Sequence, residues 1–252
     1  MFSRTKWKAE TAKYGGRVSL LTLMTYDVQA QLRRFPGLLR ETPSDLVAVK
    51  HRLLIFANHS LSSASELLQS VKLLWDEGHH LAAGHCVRLL FEIWGSLLYA
   101  QTSVLEKAKE SSESAVIADA RLQKLLLGTN SRPLLPAGIK EEIGVINVME
   151  FVRAGETAVQ EFTTIYKFLC DISHPTYMHN FFCWLTLDMS WSNDLRAREI
   201  HRILEEMINA AEMATKNISA MVVNIYNECM PDLEKEIASY DPKAEKSDDT
   251  GA

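Results

Sequence analysis

Arg88 and Glu92 stand four residues apart inside an otherwise oily run, His79 to Tyr99, which also holds His85. On a helix that spacing stacks the two side chains one turn apart, close enough to form an ion pair. A guanidinium so placed can also present donors to a developing anion. A second segment, Phe168-Leu-Cys-Asp-Ile-Ser-His174-Pro175, puts His174 at a helix end. An imidazole there can give or take a proton near neutral pH. Arg88, Glu92 and His174 are therefore the candidate site. Its chemistry would be anion stabilisation with acid–base catalysis, a combination suited to phosphodiester cleavage. The same residues also admit plainer readings. His85, Arg88, Glu92, Ser96 and Tyr99 could form the solvated face of an amphipathic helix, or a buried polar seam that fixes helix register. His174 could cap its helix or ligate a metal.

The elements needed to bring these residues together are all helical. Leu46, Leu53, Ala57, Leu61, Ala64, Leu68, Val71 and Trp75 recur at threes and fours, so a helix is expected from Thr42-Pro43-Ser44-Asp45 to Asp76. Gly78 ends it. A second helix is expected over 80–109, with Gly84 and Gly95 flanking the polar stripe and allowing a neighbour to approach closely. A shorter one covers Val116–Leu127 and stops at Gly128. Pro133 and Pro136 mark a loop. Ile139, Ile143, Ile146, Met149 and Val152 predict a further helix that Gly155 interrupts. The next runs from Glu156 to Ser173 and stops at His174, because Pro175 pushes the residue before it out of helical geometry. Ile200, Ile203, Leu204, Met207, Ile208, Ala211 and Ala214 open a long stripe over 194–228, which Pro231 is expected to close. No strand pattern, repeat or heptad array is present. The expectation is an all-α, single-domain bundle of about six or seven helices. Its frame is the three long helices near 44–76, 80–109 and 194–228. A flexible arm is expected over 1–15, the bundle over 16–238 and a disordered tail over 239–252.

Composition narrows the function. A chain of 252 residues with 47% hydrophobic and 23% charged residues is long enough for one sizeable core. The net charge of −5 argues against a broad nucleic-acid surface while leaving room for a small basic pocket. Cys86, Cys170, Cys183 and Cys229 form no C-x-x-C pair and sit among apolar neighbours, which reads as buried thiols in a reducing compartment. No uninterrupted apolar stretch of membrane length occurs, and Met1-Phe-Ser-Arg-Thr-Lys lacks the apolar core of a signal peptide, so a cytoplasmic protein without a membrane partner is expected. There is no H-E-x-x-H, G-x-S-x-G, Walker loop or G-x-G-x-x-G, and no metal or cofactor is expected. The cluster Phe181-Phe182-Cys183-Trp184 with Trp191 reads as core, or as the face of a homodimer.

The Arg88-x-x-x-Glu92 helix, followed by the Ser173-His174-Pro175 turn after a Tyr166-containing helix, resembles uncharacterised bacterial all-helical proteins that carry these two landmarks. Their layout is similar to that of HEPN-like bundles, some of which are ribonuclease toxins or defence factors. The resemblance covers roughly Leu46–Cys229. It implies a metal-independent ribonuclease, with RNA or a partner protein as its target. The HEPN ribonuclease mark is an arginine followed after four to six residues by histidine. Arg196-Ala-Arg-Glu-Ile-His201 fits it and supplies a weaker catalytic pair, Arg196 and His201; Arg52 to His59 also fits. Ala197 and Leu53 stand where a polar residue usually follows the arginine. The alternative to a nuclease is a non-catalytic interaction or structural module.

Overall fold

The computed structural model describes Arg17 and residues 46–128, 143–174 and 193–239. Among them there are six helices and no strand. They are α1 (Leu46–Asp76), α2 (His80–Ala108), α3 (Ser112–Leu127), α4 (Val148–Ala158), α5 (Phe162–Ser173) and α6 (Asn193–Ser239). The expected arm, the Thr42–Asp45 start signal, the Pro133–Pro136 loop, the Phe181–Trp184 and Trp191 cluster and the tail beyond Ser239 lie outside the described residues.

The long helices α1, α2 and α6 pack against one another pairwise, as their apolar stripes demand. Along α1 the inward residues Leu53, Ala57, Leu61, Ala64, Leu68, Val71 and Trp75 are all buried. The helix ends where Gly78 adopts φ 81°, a left-handed conformation open to glycine at little cost. Gly78 N–H donates to the Trp75 carbonyl (3.0 Å) and His79 N–H to that of Leu74 (2.7 Å), the paired bonds of a Schellman cap. The chain therefore reverses at once into α2.

Helix α2 is the centre of the bundle and touches α1, α4, α5 and α6. It is long and apolar enough to cross a membrane by length and composition alone. That composition also suits a helix enclosed on most sides, and Phe91, Trp94 and Leu97 are buried in the core it shares with the others. Phe91, Trp94 and Phe162 of α5 form one aromatic cluster, with ring centroids 4.9–5.5 Å apart. The last turns of α2 open into a π-helical stretch, Ala100–Leu105, before closing at Ala108.

Two glycines set how closely the neighbours approach α2. A Cβ on Gly95 would meet the Phe151 carbonyl oxygen at 2.8 Å, so the backbone of α4 crosses directly over this residue. A Cβ on Gly84 would meet Ile172 of α5 at 3.0 Å and Met207 of α6 at 3.1 Å.

Three sequence expectations are corrected. Gly155 does not interrupt a helix: it lies inside α4, where a Cβ would come within 2.5 Å of the Phe162 ring. The break falls instead at Val159–Glu161, so α5 starts at Phe162 rather than Glu156. Ile143 and Ile146 are not helical. The buried Lys124 ammonium donates to the carbonyls of Ile143 (2.5 Å) and Gly144 (3.0 Å), and this holds the segment in a non-helical path. Helix formation waits for Asn147, whose side chain accepts from Met149 N–H while Glu150 reaches back to the Asn147 N–H. Pro231 does not close α6, which continues to Ser239. The proline removes one backbone donor, the partner of the Asn227 carbonyl. Immediately beyond it the buried Lys50 ammonium pairs with Asp232, and this tertiary tie anchors the turns that follow.

His80 opens α2 and is 2% exposed, packed on the Trp75 ring at 4.8 Å. Burial, with the neighbouring His79 adding to it, lowers its pKa to about 4. In the unfolded chain the imidazole titrates near ~6.5. The unfolded state therefore binds more protons between these values, and the stabilisation is complete above ~6.5 and lost as pH falls towards 4. The loss across this window is expected to be roughly 3 kcal/mol. A His80→Leu variant should show a flatter stability profile over the same range in denaturant titrations. Equal acid sensitivity of the two proteins would refute this origin. In the same core, Gly95→Ala should destabilise by about 1–3 kcal/mol, because the Phe151 backbone must move. A melting curve identical to that of the parent would show that the crossing is looser than this.

Candidate functional site

Tyr166 and Cys170 stand four residues apart on α5 and His174 follows four further on, just past its end, so a stripe of phenol, thiol and imidazole runs off the end of that helix. The stripe faces α2 where Arg88 and Glu92 stand. The Tyr166 hydroxyl donates to Glu92 Oε1 at 2.9 Å. Arg88 Nε lies 3.2 Å from the same oxygen. Its N–H is not aimed at that oxygen and finds no hydrogen-bond partner among the described residues, so the pair is held by charge rather than by a fork. Arg88 Nη1 reaches His174 Nε2 at 2.8 Å.

The Arg88 side chain is 13% exposed and that of Glu92 23%, which makes the seam mostly buried but not dry. Along the stripe the burial is graded. His85 is exposed, while Ser96 and Tyr99 are buried. The polar stripe is therefore neither a solvated face nor a sealed seam. It enters the protein at His85 and is covered by Tyr99.

A guanidinium has donors only. The 2.8 Å contact thus requires His174 Nε2 to accept, which places the imidazole proton on Nδ1. Helix α5 ends at Ser173 as expected, and His174 follows in extended conformation. The imidazole is exposed and its partner is held from behind by Glu92.

Burial, followed by the charge of Glu92 and its hydrogen bond, pushes the Tyr166 phenol well above its usual range. Burial likewise raises the thiols of Cys86 and Cys170, and that of Cys229 to about 12. Cys86, Cys170 and Cys229 are free cysteines, and none of them is a ready nucleophile at neutral pH. Cys183 lies outside the described residues.

Arg88, Glu92 and His174 are brought together. Of the weaker pair, Arg196 and His201, only His201 has a described side chain. Positions 196 and 201 both lie in α6, but five residues of helix turn them about 140° apart. His201 is exposed, and the side chain of Arg196 lies outside the described residues. Arg52 is committed elsewhere, with its Nε on the buried carboxylate of Asp119, so its match with His59 describes a structural arginine. Tyr166 and Cys170 are the site residues that the sequence reading missed. Stepping back from His174 by fours would have found both. No three side chains of metal-binding type converge among the described residues. No family model, curated protein or solved structure matches the chain.

Glu92 is the partner shared by both helices, paired by charge with Arg88 and by a hydrogen bond with Tyr166, which makes these neighbours interdependent. Arg88→Ala should destabilise by about 1–3 kcal/mol, because water reaches Glu92 and softens the loss of its partner. Tyr166→Phe removes one hydrogen bond at constant shape, for about 1 kcal/mol. The double variant should depart from additivity, since both changes act on one carboxylate. Strict additivity in a double-mutant cycle would show that the two contacts are independent.

Proposed function

We propose that Arg88 and His174 form a metal-independent site for cleaving single-stranded RNA, with Glu92 and Tyr166 as positioning residues. The single observation behind this reading is the 2.8 Å contact between Arg88 Nη1 and His174 Nε2, made by residues 86 apart in the chain. It joins an anion-binding group to an exposed proton acceptor. At rest the guanidinium occupies the Nε2 lone pair. A phosphate drawn to Arg88 would compete for its donors and free Nε2 to take the proton of a 2′-hydroxyl. The O2′ would then attack phosphorus, Arg88 would stabilise the added negative charge, and the 5′-oxygen would leave with a proton from solvent. The products are a 2′,3′-cyclic phosphate and a 5′-hydroxyl end. The resemblance to HEPN-like bundles suggests a toxin or defence role in a bacterial cytoplasm, and free thiols suit that compartment.

The net charge of −5 favours a second reading, a non-catalytic module in which the Arg88–Glu92–Tyr166 contacts fix the register of α2 against α5. RNA incubated with the purified protein in EDTA separates the two. Cleavage is expected, with cyclic phosphate ends. His174→Ala should lower the rate by roughly 10²–10⁴-fold, the usual contribution of a general base. Arg88→Lys should lose activity while keeping the charge, because a lysine cannot present the same fork of donors. RNA left intact with and without divalent metal would overturn the nuclease reading in favour of the module.

A further inference from the structure

A cleft of 490 Å³ opens on the side of Glu92 away from the aromatic core, between α1, α2 and α4. Its two walls repeat one pattern. Ser63, Glu66, Leu67 and Ser70 of α1 stand at i, i+3, i+4 and i+7, and Leu89, Glu92, Ile93 and Ser96 of α2 do the same. Phe151 of α4 closes one end. Each wall thus contributes one carboxylate, α1 adds Leu67, α2 adds Leu89 and Ile93, and no lysine, arginine or histidine lines the cleft.

The hydroxyls add a second and independent constraint. Ser70 Oγ donates to the Glu66 carbonyl at 2.9 Å, and Ser96 Oγ donates to the Ile93 carbonyl at 2.8 Å. Their protons are used within their own helices, and only lone pairs remain for anything in the cleft. With two carboxylates and two such hydroxyls, acceptors dominate this polar lining, and the exposed Ser63 hydroxyl is the one side-chain donor in it. A neutral hydroxyl-bearing or carbonyl-bearing ligand finds few donors there, and an anion is repelled. An ammonium, which has three donors and no acceptor, fits. Leu67, Leu89, Ile93 and Phe151 offer the apolar surface for a carbon body attached to it.

We infer that this cleft binds a small primary amine with an apolar body, its ammonium held between Glu66 and Glu92. The inference does not rest on the nuclease reading. Glu92 already carries the charge of Arg88 and the hydrogen bond of Tyr166, so Glu66 supplies most of the attraction. It is exposed, and its replacement leaves the core untouched.

Calorimetric titration of the full chain with three ligands of similar shape tests this directly. Phenethylamine is expected to bind at least tenfold more tightly than 2-phenylethanol, and 3-phenylpropionate to show no binding. Glu66→Gln should weaken phenethylamine at least tenfold with an unchanged melting curve, and Ser70→Ala should weaken it less. Equal affinity for the amine and the alcohol, or an amine affinity indifferent to Glu66→Gln, would overturn the inference. Neither result bears on RNA cleavage, which is read in a separate assay.

Discussion

A helix enclosed on four sides cannot leave an arginine and a glutamate without compensation. Helix α2 is such a helix, and Arg88 and Glu92 are its two charges near the middle. Removing an ion from water is expensive unless another charge and a set of hydrogen bonds replace the solvent. The bundle meets this demand locally and then tertiarily. The four-residue spacing gives the first partner within the helix itself. Tyr166 gives Glu92 its hydrogen bond, and His174 gives Arg88 its acceptor, both from α5. The docking of α5 is therefore specified by polarity as well as by Phe162, Leu169 and Ile172, which bury its apolar side.

Packing then converts that pairing into a fixed geometry. Gly84 lets Ile172 and Met207 press on α2 one turn before Arg88, and Gly95 lets the α4 backbone cross almost one turn beyond Glu92. Between these two contacts α2 cannot shift along its axis without a clash at one end. The site lies in that interval. Its residues come from α2 and from α5 and its end, whose relative register is held by van der Waals contact rather than by the polar groups alone, an arrangement that keeps side chains in place.

How much of this could be read from the chain alone depends on the range of the interaction. The Arg88–Glu92 pair follows from helical spacing, and the stop at His174 follows from Pro175. Both are local. The three long helices are legible because an apolar stripe of that length needs a partner. Tyr166 escaped notice because its role exists only once α5 lies against α2. The four-residue steps to Cys170 and His174 hint at it, but nothing in the sequence says which face of α5 meets the charges. Gly155 and Pro231 misled for a related reason. Each weakens a helix locally, and each meets a contact from outside its own helix, the Phe162 ring that leaves no room for a Cβ in one case and Lys50 with Asp232 in the other. Lys124 works in the opposite sense, holding a segment non-helical where its isoleucines alone suggested a helix.

Glu92 belongs to both proposed sites, and this sharing has a thermodynamic consequence. On one side its carboxylate answers Arg88 and Tyr166, and on the other it lines the acceptor cleft. A cation drawn into the cleft would compete with Arg88 for the same negative charge. Weakening the hold on Arg88 loosens the partner of His174 Nε2, while an anion bound at Arg88 would leave more of Glu92 for the cation. Were both sites occupied as proposed, their occupancies would be coupled, with the same coupling free energy whichever ligand binds first. No movement of helices is needed for it. One carboxylate between two walls of a rigid bundle is sufficient, because its charge acts at close range on both sides.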